Sequence, residues 1–334
     1  MIYFIFFISV FILSFLLNFF LVKLKEKSTY LPEYFLKRFG GLAVAFCSLL
    51  GISVIYFLFD KKFPILFKDY GSIVVASLVI IIGGLVDDKK KTSAFFQFFY
   101  QFIAIIIFLG VKDTINHVNL PIWGMVHFGP VLNYLLSFFW FLIILNSFNW
   151  FDGVDGLAGG LGFIAMIFLF FLSLTPIVNQ PQTAMIALII AGAILGFWFL
   201  NFFGAKIYLG SVGSYFIAMM LALISVYSGG KVATAALILG IPILDFVFVS
   251  VERMFKGRLP WQGKDRRHLH YRLLDQGMSQ KKLNYLFYFL SLSFGLAALT
   301  LQTDLKIIAF LILMVIFLLI AFKARVLKKT VYSK

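Results

Sequence analysis

Charge is scarce in this chain: Asp, Glu, Lys and Arg make up 13% of its 334 residues, and only 14 residues are acidic. That excludes an ordinary soluble domain, in which about a quarter of residues are charged. Cysteine is nearly absent. The single Cys47 lies inside an apolar segment, so no intramolecular disulfide can form, and a small core residue is its simplest reading. Internal repeats, low-complexity linkers and a separate soluble domain are missing as well. The first apolar segment has no basic n-region and no small-residue cleavage site, and Lys23, Lys25 and Lys27 follow it. It therefore reads as an uncleaved membrane helix.

What is present is apolar surface: 62% of residues are hydrophobic and the mean hydropathy is +1.01. The expected fold is all-α, a polytopic transmembrane helix bundle forming one domain over 1–334. Eleven spans are predicted, near 2–22, 42–59, 71–86, 94–110, 131–149, 157–174, 183–200, 212–227, 232–252, 283–301 and 305–322. With the N-terminus outside and the C-terminus cytoplasmic, inside loops hold 23 of the 29 Lys and Arg residues. This positive-inside asymmetry predicts a multi-pass protein of the cytoplasmic (inner) membrane with its acidic clusters on the cytoplasmic face. The net charge of +15 is then a basic face beside anionic lipid, not a nucleic-acid footprint. His117 and His127, in the longest outside loop, read as surface residues.

Four stretches concentrate polar chemistry. The run Asn146 to Gly160, NSFNWFDGVDGLAGG, places Asn146, Asn149, Asp152 and Asp155 at three-residue steps where a helix leaves the bilayer. Such costly groups need polar partners. Each step drifts about 60° around a helix, so Gly153 and Gly156 are expected to break it and fan the four groups around one pocket. Asp87 and Asp88 end the third span beside Lys89, Lys90 and Lys91, and a carboxylate pair can supply the protein share of a Mg²⁺ site. Asn201 to Ser214, NFFGAKIYLGSVGS, is a small-residue stretch that suits either phosphate binding or tight helix packing. The largest inside loop gathers Arg266, Arg267, His268, His270 and Arg272, which suit phosphate binding and proton handling. Upstream, Asp245 lies inside a span and needs a partner in the protein interior.

These stretches, with GGLVDD and IPILDFVFVSVERMFKGRLPWQGKDRRHLHYRLL, occur in the order found in polyprenyl-phosphate N-acetylhexosamine-1-phosphate transferases. The chain resembles that family over about 38–280, in the branch using UDP-N-acetylglucosamine or a related UDP-N-acetylhexosamine. It lacks the Pro-x-His-His-His run of the related lipid I translocases. The resemblance implies transfer of the sugar 1-phosphate, most simply GlcNAc-1-phosphate, from the UDP-sugar to undecaprenyl or another polyprenyl phosphate. UMP is released, and the product starts a cell-envelope glycan.

It also implies roles. Asp87, Asp88, His268 and His270 would be catalytic. Asn149, Asp155, Asn201, Lys206, Tyr208, Arg266 and Arg267 would bind substrate, with Asn201 and Tyr208 on the uracil. Asp87, Asp88, Asp152 and Asp155 would hold Mg²⁺, or Mn²⁺ in its place. Apolar outer faces would serve a homodimer as readily as lipid. Three departures stand out: Ser211 where the family has a metal-binding Asp, Tyr271 where it has His, and a first inside loop without its usual Asp. They support a second reading, a catalytically weakened paralogue that binds lipid phosphate or nucleotide sugar. An ion-coupled transporter is a third, disfavoured because the acids sit at span ends and not near the midplane.

Overall fold

The computed structural model describes residues 1–27, 37–58, 64–110, 114–115, 117–120, 124–202, 204–227, 232–261 and 266–331. Residues 28–36 of the loop predicted to be inside, Asp265, and Lys61, Lys62, Lys112 and Lys231 of those predicted to be outside are not among the described residues. Among the described residues the chain is helical apart from one hairpin, β1 (His117–Leu120) antiparallel to β2 (Gly124–His127). The hairpin occupies the long loop that the sequence reading puts outside, and pairs His117 with His127 across its strands.

The first half of the bundle is α1 (Ile2–Lys27), α2 (Gly40–Leu58), α3 (Pro64–Lys90), α4 (Ala94–Leu109) and α5 (Pro130–Phe151). Then come α6 (Leu157–Leu174), α7 (Pro181–Asn201), α8 (Gly210–Tyr227), α9 (Val232–Ile238) and α10 (Gly240–Phe255). A short α11 (Leu269–Asp275) precedes α12 (Gln280–Thr300) and α13 (Thr303–Val331). Among the described residues, nine helices are long and apolar enough to cross a membrane, and the expected fourth span is α4, shorter at 16 residues.

The expected span 232–252 is not one straight helix. It divides into α9 and α10, bent by 83° about Leu239. Pro242 has no N–H for the carbonyl of Ile238, so a continuous helix would lose a bond there. Ser291 of α12 donates its hydroxyl to that orphaned carbonyl at 3.3 Å. This is the kind of repair that lets a helix break inside a membrane.

The bundle is built around α8. Every residue from Gly210 to Val226 is buried, among α2, α3, α5, α6 and α7. Close approach is bought with glycine: a Cβ on Gly41 would lie 2.3 Å from Gly213 Cα, and one on Gly84 2.7 Å from Val212 Cα. Small residues thus seat the start of α8 against α2 and α3, and that start carries the site.

Candidate active site

The polar run after α5 breaks the helix as expected. Asp152 caps α5, and Gly156 turns the chain in the left-handed region at φ 78° before α6 begins. The turn is clamped by side chains from two other helices. Asn201 accepts the Gly156 N–H at 2.9 Å and donates to the Ile207 carbonyl at 2.9 Å, while Asn284 donates to the Asp155 carbonyl at 2.7 Å. Trp198 and Tyr288 both donate to the Gly156 carbonyl. Gly153 must lack a side chain, because a Cβ there would sit 2.0 Å from the Tyr271 hydroxyl.

The break opens a cavity of about 410 Å³, lined by Lys37, Arg38, Asn149, Asp152, Asp155 and Tyr271 among others. Asn201, Tyr208, Gly210 and Ser211 complete it. It therefore contains basic groups, two carboxylates, two amides and an exposed aromatic ring. Asn201 spends its amide on backbone groups, so its observed work is to hold the turn. Lys206 is exposed in the loop before α8 and is not part of the lining.

Asp87 and Asp88 stand behind the cavity wall, 7% and 1% exposed. Asp88 accepts from Arg38 at 2.9 Å and from the N–H groups of Ser211 at 3.0 Å and Val212 at 3.4 Å. It is a charged cap on the N-terminus of α8, where an anion is stabilised by unpaired N–H groups. Those N–H groups, read from sequence as candidates for phosphate, are taken by this carboxylate. Asp87 accepts from the Thr92 N–H at 2.9 Å, the Thr92 hydroxyl, Gln97 at 2.9 Å and the Ser211 hydroxyl at 2.6 Å. It thereby braces the tight turn from α3 into α4, in which Lys91 adopts φ 48°.

Asn146 does not join the other three members of its run. With Gln97 and Gln101 it lies in a second cavity, a groove of about 440 Å³. The remaining walls are largely apolar: Phe95, Phe98, Leu142, Trp150, Phe246 and Trp261. Asn146 donates to Gln101 at 2.9 Å. Between cavity and groove runs a ring of hydrogen bonds. Asp87 is joined to Gln97, Gln97 to Tyr215 at 3.4 Å, Tyr215 to Asn149 at 3.0 Å and Asn149 to Ser214 at 2.7 Å. Ser214 meets the Ser211 carbonyl at 3.4 Å, which closes the ring through the Ser211 hydroxyl on Asp87.

The basic loop splits by burial. Asp245 finds its interior partner in His268, at 2.8 Å, and also accepts the Leu269 N–H at 2.8 Å. His268 packs on Trp150 and is 5% exposed. His270 is fully buried against Phe151 and Tyr271, and neither ring nitrogen has a hydrogen-bond partner among the described residues. Burial holds its pKa down at about 3, so the ring is neutral. Neither histidine lines the cavity; Tyr271 does. Arg266 pairs with Asp275 at 2.7 Å and lies over the Tyr271 ring at 4.8 Å, while Arg267 is half-buried beside it and gives its carbonyl to Arg272.

Among the described residues, no three of His, Cys, Asp and Glu gather as metal ligands. The four carboxylates are thus not one cage: two are saturated by protein donors and two face the cavity. Mg²⁺ asks for less, since one or two carboxylates suffice beside waters and phosphates. Asp152 suits that role. Although its carboxyl touches the open cavity, desolvation by the surrounding protein and then the nearby charge of Asp88 push its pKa well above the usual carboxylate range, and Asp155 adds to this. A cation there would relieve the crowding.

Sequence reasoning missed Lys37, Gln97, Gln101, Ser214, Tyr215, Asn284 and Tyr288. A signal existed for Gln97 and Gln101: two amides four residues apart on one face of an otherwise apolar α4.

Residues 70–229 match the family model described as Glycosyl transferase family 4. A protein of Bacillus subtilis (strain 168) named as a probable undecaprenyl-phosphate N-acetylglucosaminyl 1-phosphate transferase is 31% identical over 143 residues, 41% of this chain and 39% of that one. The decaprenyl-phosphate N-acetylglucosaminephosphotransferase of Mycobacterium leprae (strain TN) is 32% identical over 122 residues, 31% of this chain and 30% of that one. The chain thus spans less than half the length of these relatives. The family match takes in Asp87, Asp88, the Asn146 run and Ser211, and stops before the loop that carries Tyr271.

Proposed function

We propose, from the match of residues 70–229 to the glycosyl transferase family 4 model, that the chain is a member of that family and transfers GlcNAc-1-phosphate from UDP-GlcNAc to a membrane polyprenyl phosphate. The observation that carries this reading is the shared wall: Ser211 of the polar cavity and Gln97 of the apolar groove bind the same carboxylate, Asp87. A soluble charged donor fits the cavity, and a lipid with one polar end fits the groove. The reaction joins their phosphates across that wall.

In the donor cavity, Tyr208 offers its ring to the uracil, Asn149 and Asp155 offer polar contacts, and Lys37 and Arg38 offset the diphosphate charge. In the groove, Phe95, Phe98 and Trp261 cover the isoprenoid chain and leave its phosphate at Gln97. An oxygen of that phosphate attacks the β-phosphorus of the UDP-sugar, the α–β bridging bond breaks, and UMP leaves with the bridging oxygen. In this reading Asp87, held by Thr92, Gln97 and Ser211, orients the wall between the two phosphates, and Asp88 positions Arg38 and α8. His268 and His270 support Trp150, Phe151 and Tyr271 from behind, which is a positioning role. Asp152, with Asp155 beside it, would hold Mg²⁺ or Mn²⁺, which when bound supplies positive charge against the diphosphate. The open side of both sites faces the cytoplasm in this reading, where UDP-sugars are made.

Purified full-length protein given radiolabelled UDP-GlcNAc, undecaprenyl phosphate and Mg²⁺ is expected to yield lipid-linked label and UMP. No transfer from UDP-GlcNAc, UDP-GalNAc or another UDP-HexNAc would overturn the reading in favour of a binding paralogue.

A further inference from the structure

Gln97 faces two ways. It lines the apolar groove, yet its Nε2 donates to Asp87 Oδ1 at 2.9 Å. Its orientation is fixed from the other end, because Oε1 accepts the Tyr215 hydroxyl at 3.4 Å. A flipped amide would set oxygen against carboxylate and lose the bond to Asp87, so the nitrogen stays on that side. The carboxamide nitrogen carries two N–H groups, and Asp87 uses one. The other two amides of the groove are committed to each other: Asn146 donates to Gln101 at 2.9 Å and to the Leu142 carbonyl at 2.8 Å, and Gln101 returns a bond at 3.5 Å. Asn146 thus spends both its N–H groups, and Gln101 is buried at 1% exposed, so among the described residues Gln97 is the half-exposed groove amide with an N–H to give. The donors on Asp87 are Thr92, Gln97 and Ser211, all neutral.

We propose that Gln97 is the specificity-determining residue for the acceptor: one N–H holds Asp87 and the other receives a phosphate oxygen of the lipid. The identity of the lipid rests on the transferase reading; the contact with an anionic head does not. A neutral amide between two anions aligns them without bringing net charge into the membrane, where an unpaired charge is costly. A carboxylate at this position would repel both neighbours.

The test reads binding, not turnover. Full-length protein in detergent is titrated with undecaprenyl phosphate and with undecaprenol, followed by fluorescence of the groove residues Trp150 and Trp261. UDP binding to the cavity serves as the check that each variant is folded. Gln97→Glu is expected to weaken undecaprenyl phosphate by roughly tenfold or more, since a hydrogen bond to a charged partner is replaced by repulsion. Gln97→Leu is expected to fall between, and undecaprenol to move by less than about twofold in both. The proposal is overturned if either variant binds the phosphate like wild type, or if the alcohol weakens equally. Wild type that binds undecaprenyl phosphate tightly but transfers no sugar would overturn the transferase reading alone. Wild type that prefers the alcohol would overturn this proposal alone.

Discussion

The two cavities are nearly equal in size, about 410 and 440 Å³, and opposite in construction. The polar cavity is made chiefly where helices stop: the residues before α2, the break after α5 and the start of α8, with Tyr271 of α11 closing it. The apolar groove is made mainly where helices continue, from side chains of α4, α5 and α10, with Pro260 and Trp261 from the segment after α10. Broken ends expose backbone and collect charge, so the first cavity gains Lys37, Arg38, Asp152 and Asp155. Continuous helices in a membrane satisfy their own backbone, so the second can be aromatic and needs only three amides. The polar ring through Tyr215 is the boundary between these two chemistries.

The comparison breaks first at Asp152. If the cavity handles the charged diphosphate, Asp152→Asn should lower kcat by roughly 100-fold or more, the scale of losing one group that stabilises developing charge. Lipid affinity, measured on the same protein, should not change. Retained turnover would show that the charged cavity is not the reacting one. Next comes Asp88, whose work here is structural as well as electrostatic. Asp88→Asn leaves Arg38 without its carboxylate and weakens the cap on α8, with an expected loss of about 3 kcal/mol in stability, the range for breaking a buried pair. Thermal unfolding in detergent checks it, and Arg38→Gln in the Asp88→Asn background should add little.

Much of this was legible in sequence, for physical reasons. Apolar runs predicted the helices, because a bilayer imposes length and composition on them. The run from Asn146 was found because polar groups at a span end are expensive. Its division was not found: Asn146 and Asn149 both lie on intact α5, but a three-residue step moves about 60° around the helix, so Asn146 stays with the groove while Asn149 joins Asp152 and Asp155 at the cavity. The 83° bend at Leu239 was missed although Pro242 marks it, since hydropathy averages across a break. His270 invited a catalytic role by its motif, yet composition cannot show that a side chain is sealed behind Phe151 and Tyr271. Asn284 and Tyr288 act from α12 on a turn some 130 residues earlier, as their hydrogen bonds to residues 155 and 156 show, and no local pattern marks such a clamp.

A finer contrast uses the two asparagines three residues apart. Asn146→Ala should raise KM for the polyprenyl acceptor about fivefold and leave KM for the UDP-sugar unchanged, as fits the loss of one neutral hydrogen-bond pair. Asn149→Ala should do the reverse. Equal effects on both substrates would mean that cavity and groove are one site, and the comparison would collapse.

The smallest expected effect concerns His270, and its sign follows from burial. Its folded pKa of about 3 lies below the ordinary 6.5, so between those values the unfolded chain binds the extra proton. Stability therefore rises with pH across that window and is lost as pH falls through it. Above the ordinary value the residue contributes no pH dependence. His270→Gln cannot take up that proton, so its unfolding temperature should fall less than that of wild type between pH 6.5 and pH 4, by a few degrees at most. Parallel curves for the two proteins would show that the ring is protonated in the fold, which would return His270 to the proton-handling role that its motif suggested.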